Sequence, residues 1–271
     1  MVNYLKVFKS LTCFVYVLFN CSNSDKKKYT FVKIFKKMTN SGKFNLKNKV
    51  AIVFRDDEKY GEAITSAFND AGALIYNKVD TSNPRETVLN AVSVHGHLDI
   101  LVTTPTFLKA EAAERTSTEQ FKKNVDLNLG KIFFWCQAAA EQMSIQEPVG
   151  GTIINVSSVS GVVGLAGQVA FCSAMAGVNA MTKTLATEWK EHGIRVLSLG
   201  AGLGEDLSEI ETLGIFLPDG RIGHRRLPEN TLKKTYELAQ IATFLASDAS
   251  QLINGTTVYA DSGWLADGYW E

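Results

Sequence analysis

The chain carries no surplus of either charge, few cysteines and no hydrophobic run of membrane-spanning length. Lysine plus arginine equals aspartate plus glutamate at 28 each, so nothing draws it electrostatically to nucleic acid or to an acidic membrane surface. Of its four cysteines, Cys13 and Cys21 fall in the first 45 residues. Cys136 and Cys172 remain, without metal-ligand spacing or a disulfide framework, and are expected as reduced thiols packing like small hydrophobes. The apolar stretch Leu11–Phe19 falls short of the roughly 20 residues that cross a bilayer. His95, His97, His192 and His224 are scattered, and no His/Asp/Ser arrangement can be read from their spacing. Repeats and low-complexity linkers are absent as well. What is present is ordinary: 45% hydrophobic and 21% charged residues over 271 positions, enough to bury the core of one α/β domain.

Residues 1–45 stand apart as an N-terminal extension. Lys6 and Lys9 precede the apolar run, Lys26 to Lys37 is lysine-rich, and Asp25 is the one acid before Met38. Three readings stay open: a secretory signal, although Phe19-Asn20-Cys21 lacks the small residues of a cleavage site; an organelle-targeting segment; or a start-site artefact, with Met38 as the true start. The protein is expected to be cytoplasmic if Met38 begins it, and otherwise targeted or secreted by residues 1–37.

From Lys49 onward short apolar runs alternate with helical periods, the pattern of βαβ units around a parallel sheet. Strands are predicted at 50–54, 73–78, 98–103, 151–157, 194–199 and 256–259, and helices at 61–71, 84–94, 118–143, 171–192 and 232–246. Pro84 suits a first helical turn with Ser82 or Asn83 as cap, and Gly72 and Gly193 suit helix ends. Residues 46–271 therefore read as a single domain.

Several ordered segments then carry a resemblance. Asn155-Val156-Ser157-Ser158, followed by Gly167-Gln168-Val169-Ala170-Phe171-Cys172-Ser173-Ala174-Met175, is similar to the active-site segment of the short-chain dehydrogenases/reductases. Lys49–Val53, Leu98–Val102, Asn128-Leu129, Gly193–Val196 and Asn254 through Trp264 match other segments of that family in order. The resemblance covers Leu46 to Leu265 and implies a three-layer, doubly wound, Rossmann-like α/β fold. It also implies oligomers formed through helices 118–143 and 171–192, with a second copy or with a relative of the family, and neither a nucleic-acid partner nor a transmembrane span.

The departures are as informative as the matches. A dinucleotide fold binds diphosphate at a Gly-rich turn after its first strand. The family writes that turn Thr-Gly-x-x-x-Gly-x-Gly; here it reads Phe54-Arg55-Asp56-Asp57-Glu58-Lys59-Tyr60-Gly61, with only Gly61 kept. Gly72 to Asp80 runs directly from a strand start to an aspartate resembling the family's adenine contact. That leaves no room for the 10–12 residues a parallel crossover takes. One βα unit is therefore expected to be missing, leaving six strands. Asn-Asn-Ala-Gly becomes Thr103-Thr104-Pro105-Thr106, and Pro-Gly becomes Ala201-Gly202.

In the family a tyrosine thirteen residues after the serine, with a lysine four further on, handles the proton. The serine polarises the carbonyl and the asparagine holds a water. Ser158 and Asn128 remain, but Phe171 and Met175 occupy the tyrosine and lysine positions, and neither can titrate. Being four apart on a helix, the two are expected to share a face and to pack into a filled cleft. Ser158 and Asn128 also have local structural roles open to them.

The expectation drawn from this is a catalytically impaired protein that serves as a scaffold, regulator or complex subunit, with Gly61 and Asp80 as remnants of a cofactor site and no cofactor expected. The first alternative is an oxidoreductase of this family that uses NAD or NADP on a carbonyl or alcohol with atypical residues. The second is a small-molecule binder over Asn128, Ser158 and the segment 202–218.

Overall fold

The computed structural model describes residues 44–54, 58–108, 110–202 and 235–266. The N-terminal extension, apart from Phe44 and Asn45, lies outside them, as do the turn 55–57 and the segment 203–234. Six parallel strands form one sheet in the order β2-β1-β3-β4-β5-β6. They are β1 (Val50–Phe54), β2 (Leu74–Ile75), β3 (Ile100–Thr103), β4 (Gly151–Ser158), β5 (Ile194–Ala201) and β6 (Thr257–Ala260). The helices are α1 (Glu58–Asp70), α2 (Pro84–His95), α3 (Thr118–Val125), α4 (Lys131–Met143), α5 (Val169–Trp189) and α6 (Thr235–Ala246).

Period-two alternation along β1 splits the core into two layers. Val50, Ile52 and Phe54 face α2, α4 and α5, with Val88, Ile132, Trp135 and Val178 in the same cluster. Ala51 and Val53 face α1 and α6, packing with Ile64, Phe68, Leu238 and Leu245. The result is the expected three-layer, doubly wound α/β arrangement with six strands.

The edge of the sheet is shorter than its sequence suggests. The predicted strand 73–78 contracts to Leu74–Ile75, although the amide of Tyr76 still donates to the Ala51 carbonyl at 2.9 Å. Only β1 lies beside it, and a short edge strand offers little unpaired backbone to other chains. The chain then runs through Asp80 straight into α2. There Asn83 caps the helix by accepting from the Glu86 amide, and Gly96 closes it with φ +89.

Prediction and structure differ again at 118–143. The expected single helix is interrupted by a π-helical turn, Asp126–Gly130, between α3 and α4. A π turn inserts an extra residue into the α ladder. Gly177 of α5 faces it so closely that a Cβ there would stand 2.9 Å from Cδ2 of Leu129. α1 also begins three residues before the predicted 61, which puts Gly61 inside the helix rather than at its entrance. α5 begins at Val169, two residues before Phe171.

Candidate functional site

The carboxyl ends of the strands form the crevice where open α/β sheets bind ligands. β3 delivers Thr103-Thr104-Pro105-Thr106 to this edge, β4 delivers Ser157 and Ser158, and β5 delivers Ala201 and Gly202. Two of the threonines are tied into the scaffold. Thr103 Oγ1 donates to Asn155 Oδ1 at 2.9 Å, and Thr104 Oγ1 to the Phe54 carbonyl at 3.1 Å.

Asn128 sits in the π turn, fully buried. Its Oδ1 accepts from the Thr106 amide at 2.7 Å, while Nδ2 donates to the Thr106 carbonyl at 2.8 Å and to Asn124 Oδ1 at 3.0 Å. The residue at the asparagine position thus clamps the loop after β3, and both ends of its amide are bonded to protein.

Ser158 ends β4 half-buried, and its Oγ accepts from the Ser160 amide at 3.2 Å. That contact uses a lone pair and leaves the hydroxyl proton free to be donated. The loop beyond it is seated tightly on α5: a Cβ at Gly161 would lie 3.0 Å from the Met175 carbonyl oxygen.

Phe171 and Met175 are both buried in the core layer that faces α4 and α5, Met175 completely. The Phe171 ring meets Phe107 edge-on, with centroids 5.4 Å apart. Both side chains serve as packing groups. Neither position offers a phenol or an ammonium. Tyr259 lies against Gly200, and its hydroxyl accepts from Asn179 Nδ2 at 3.2 Å. Asn179 is eight residues along α5 from Phe171, about 12 Å at 1.5 Å per residue. Burial pushes the pKa of that hydroxyl up, with the charge of Asp261 adding to the effect.

The two candidate cofactor remnants lie apart from this cluster. Gly61 is buried within α1, where its carbonyl accepts from Thr65 Oγ1 at 2.7 Å. Asp80 is exposed, and its carboxylate accepts from the Ser82 hydroxyl at 2.7 Å and the Ser82 amide at 2.8 Å. Those bonds hold its pKa below the usual carboxylate value. The diphosphate turn itself falls within 55–57, outside the described residues.

Sequence reasoning missed a group of buried polar side chains in the two loops that flank this edge. Thr106 Oγ1, Ser157 Oγ, Ser160 Oγ and both ends of the Gln168 amide have no hydrogen-bond partner. A polar residue beside the motif serine was the one available signal, and partners contributed by distant loops cannot be read from spacing. Among the described residues no cluster of His, Cys, Asp or Glu could hold a metal, and no helix is long and apolar enough to cross a membrane.

A parallel sheet with this order, a carboxyl-edge crevice and a serine at the end of β4 define a Rossmann-like, dinucleotide-type α/β protein. The family model described as enoyl-(acyl carrier protein) reductase matches residues 47–265. The chain belongs to the short-chain dehydrogenase/reductase family. It is 30% identical to D-threitol dehydrogenase of Mycolicibacterium smegmatis over 82% of this chain and 94% of that protein. With the NAD-dependent glycerol dehydrogenase of Listeria innocua it shares 29% identity over 82% and 95%. A gluconate 5-dehydrogenase from Burkholderia cenocepacia, solved in complex with NADP and tartrate, superposes with a TM-score of 0.71 over 83% of this chain and 98% of that one. At 20% identity, that likeness speaks for the fold alone.

These relatives correct two expectations. The scaffold-or-regulator reading gives way, because proteins matching four fifths of the chain are named dehydrogenases. The expectation of no cofactor loses its basis too, since the name of one of these relatives specifies NAD. The substitutions at 171 and 175 remove one acid/base pair. They do not by themselves remove a hydride-transfer site.

Proposed function

We propose that the protein is an oxidoreductase that uses a nicotinamide dinucleotide to interconvert a small alcohol and its carbonyl. The observation that carries this reading is the set of unpartnered buried polar groups around the crevice, at Thr106, Ser157 and Ser160. Each costs about 1–3 kcal/mol when left without a partner, and native proteins leave few such groups. Their concentration in the two loops beside Ser158 fits an edge built to receive a polar ligand. Gly202, whose missing side chain would crowd the Asp261 backbone at 3.2 Å, keeps bare backbone at the end of β5. Both features suit a nicotinamide carboxamide and ribose.

When bound, the cofactor supplies or accepts the hydride. The protein's own part centres on Ser158, whose free hydroxyl proton polarises the carbonyl oxygen. Asn128 positions the facing loop through Thr106. Phe171 and Met175 exclude water from the core side and provide no proton, so protons pass between Ser158 and solvent in the crevice. A positioned acid/base contributes about 10²–10⁴-fold, and its absence implies a slow enzyme. We further infer that copies pair through α3–α4 and α5, where Phe121 and Phe134 are exposed apolar residues.

The test is thermal unfolding with NAD, NADH, NADP and NADPH in turn. A cofactor at 100 times its Kd stabilises by about 2.7 kcal/mol, a rise of about 5–10 °C for a domain of this size. No shift with any of the four at millimolar concentration would overturn the proposal.

A further inference from the structure

A second cavity lies beside the crevice, with a volume of about 210 Å³, between the loop after β3, α3 and the start of α5. Ser158, Asn128 and Met175 are not among the residues that line it. Phe171 is one wall, with Leu108 and Val169 as further apolar surface. Its size exceeds the roughly 150 Å³ that accommodates a benzene ring in an apolar protein cavity.

The polar residues of its wall are unusually uncommitted. Asn124 is 8% exposed, and its Oδ1 accepts from Asn128. That bond fixes the orientation of the amide and leaves its Nδ2 protons without a protein acceptor. Gln168 is 4% exposed, with neither end of its amide partnered. Lys123 adds an exposed ammonium on the same turn of α3. The acceptors nearby are already engaged. Glu111 Oε1 takes Arg115 Nε at 2.8 Å and the Ala112 amide at 3.2 Å, and the Thr116 hydroxyl donates to the carbonyls of Glu111 and Ala112. Gln168 Oε1 is the one acceptor here without a partner, and the rest of the unused capacity, Asn124 Nδ2, Gln168 Nε2 and the Lys123 ammonium, is on the donor side beside an apolar surface.

We propose that this cavity binds a small apolar carboxylate. The acid group meets the donors of Asn124, Gln168 and Lys123, with Gln168 turning its amide toward it, and the hydrocarbon part packs on Leu108, Val169 and Phe171. The Glu111 charge faces the same space and is balanced by Arg115, so the ligand takes one carboxylate rather than two.

Benzoate, benzamide and benzyl alcohol are the probes, titrated into the full chain at neutral pH by calorimetry or ligand-observed NMR. Benzoate is expected to bind at least about tenfold more tightly than either neutral analogue, because bonds to a charged group are the stronger ones. Lys123→Met, a change at an exposed position outside the crevice, is expected to weaken benzoate about tenfold and to leave the neutral probes unchanged. Gln168→Leu should also lose the preference for the acid. Equal binding of benzoate and benzamide, no benzoate binding at millimolar concentration, or a Lys123→Met titration superimposable on wild type would each overturn the proposal. No nicotinamide nucleotide enters these measurements, so their failure leaves the oxidoreductase reading standing, and failure of the cofactor titration leaves this site standing.

Discussion

Replacing Met175 by lysine tests the packing of the former proton-transfer pair. Met175 is wholly buried among Trp135, Val178 and Phe171 of the core layer. A lysine there must hold an ammonium without a partner or lose its proton. Full burial lowers a lysine pKa by about 3–5 units, each worth about 1.36 kcal/mol, so the charged form costs about 4–7 kcal/mol. The folded pKa falls below the unfolded value of about 10.4. The unfolded chain then binds the extra proton between the two values, and stability rises with pH across that window.

Met175→Lys is accordingly expected to be most stable near pH 10 and to lose about 4 kcal/mol by pH 7, against a total of about 5–15 kcal/mol for a native domain. Met175→Leu, with its volume nearly conserved, should cost less than about 1.5 kcal/mol at any pH. Urea unfolding of both variants from pH 6 to 10 gives the comparison. If Met175→Lys tracks wild type within about 1 kcal/mol and shows no pH dependence, the ammonium has found water or a polar partner, and the packed-core description of this position is wrong.

Three other outcomes follow from the same coordinates. Ser158→Ala should lower any measured turnover by about 10²-fold or more while leaving cofactor-induced thermal shifts intact; retained turnover would remove Ser158 from the reaction. Arg195 donates five hydrogen bonds at 3.0–3.2 Å, to the carbonyls of Leu245, Ser250 and Ile253 and the hydroxyls of Thr152 and Ser250. Arg195→Met removes all five bonds, although Ser250 Oγ still donates to the Leu245 carbonyl and the Ile253 amide to the Ser250 carbonyl; it should cost about 2–4 kcal/mol, read as a fall of about 10 °C in Tm. Burial pushes the Cys136 thiol up to about 12, so it is almost wholly protonated at pH 8 and resists alkylation until the fold opens. Mass spectrometry after iodoacetamide should find Cys172 modified before Cys136, since it is only partly buried.

Much of the fold was legible because buried parallel strands and amphipathic helices write their periods directly into the chain. β1 falls on the predicted 50–54, and the missing crossover between Gly72 and Asp80 could be seen simply by counting residues. The strand at 73–78 was overread because an edge strand is limited by its one neighbour, which its own residues do not record. The π turn escaped because Asp126–Gly130 has the composition of any helical stretch, and its cause is the fit of Leu129 against Gly177 some fifty residues away. At the site, Ser158, Phe171 and Met175 could be located by spacing, whereas the unpartnered Gln168 and the grip of Asn128 on Thr106 arise from loops brought together only by folding. Function was misjudged for a related reason. Departures from the family pattern at the diphosphate turn, at Thr103–Thr106, at Ala201-Gly202 and at 171 and 175 pointed to a lost activity, whereas relatives matching the chain at about 30% identity are named dehydrogenases.

The extra residue in the turn 126–130 has a consequence for how this chain tolerates change. One residue of an α-helix corresponds to a rotation of about 100°. Deleting any one position in that turn would therefore swing the Thr118–Val125 segment around its axis relative to Trp135 and Cys136, carrying Asn124 and Lys123 off their wall while every side chain kept its identity. Substitutions across this stretch can be absorbed one at a time. A single-codon deletion would act as a phase error, felt at both ends of the helix.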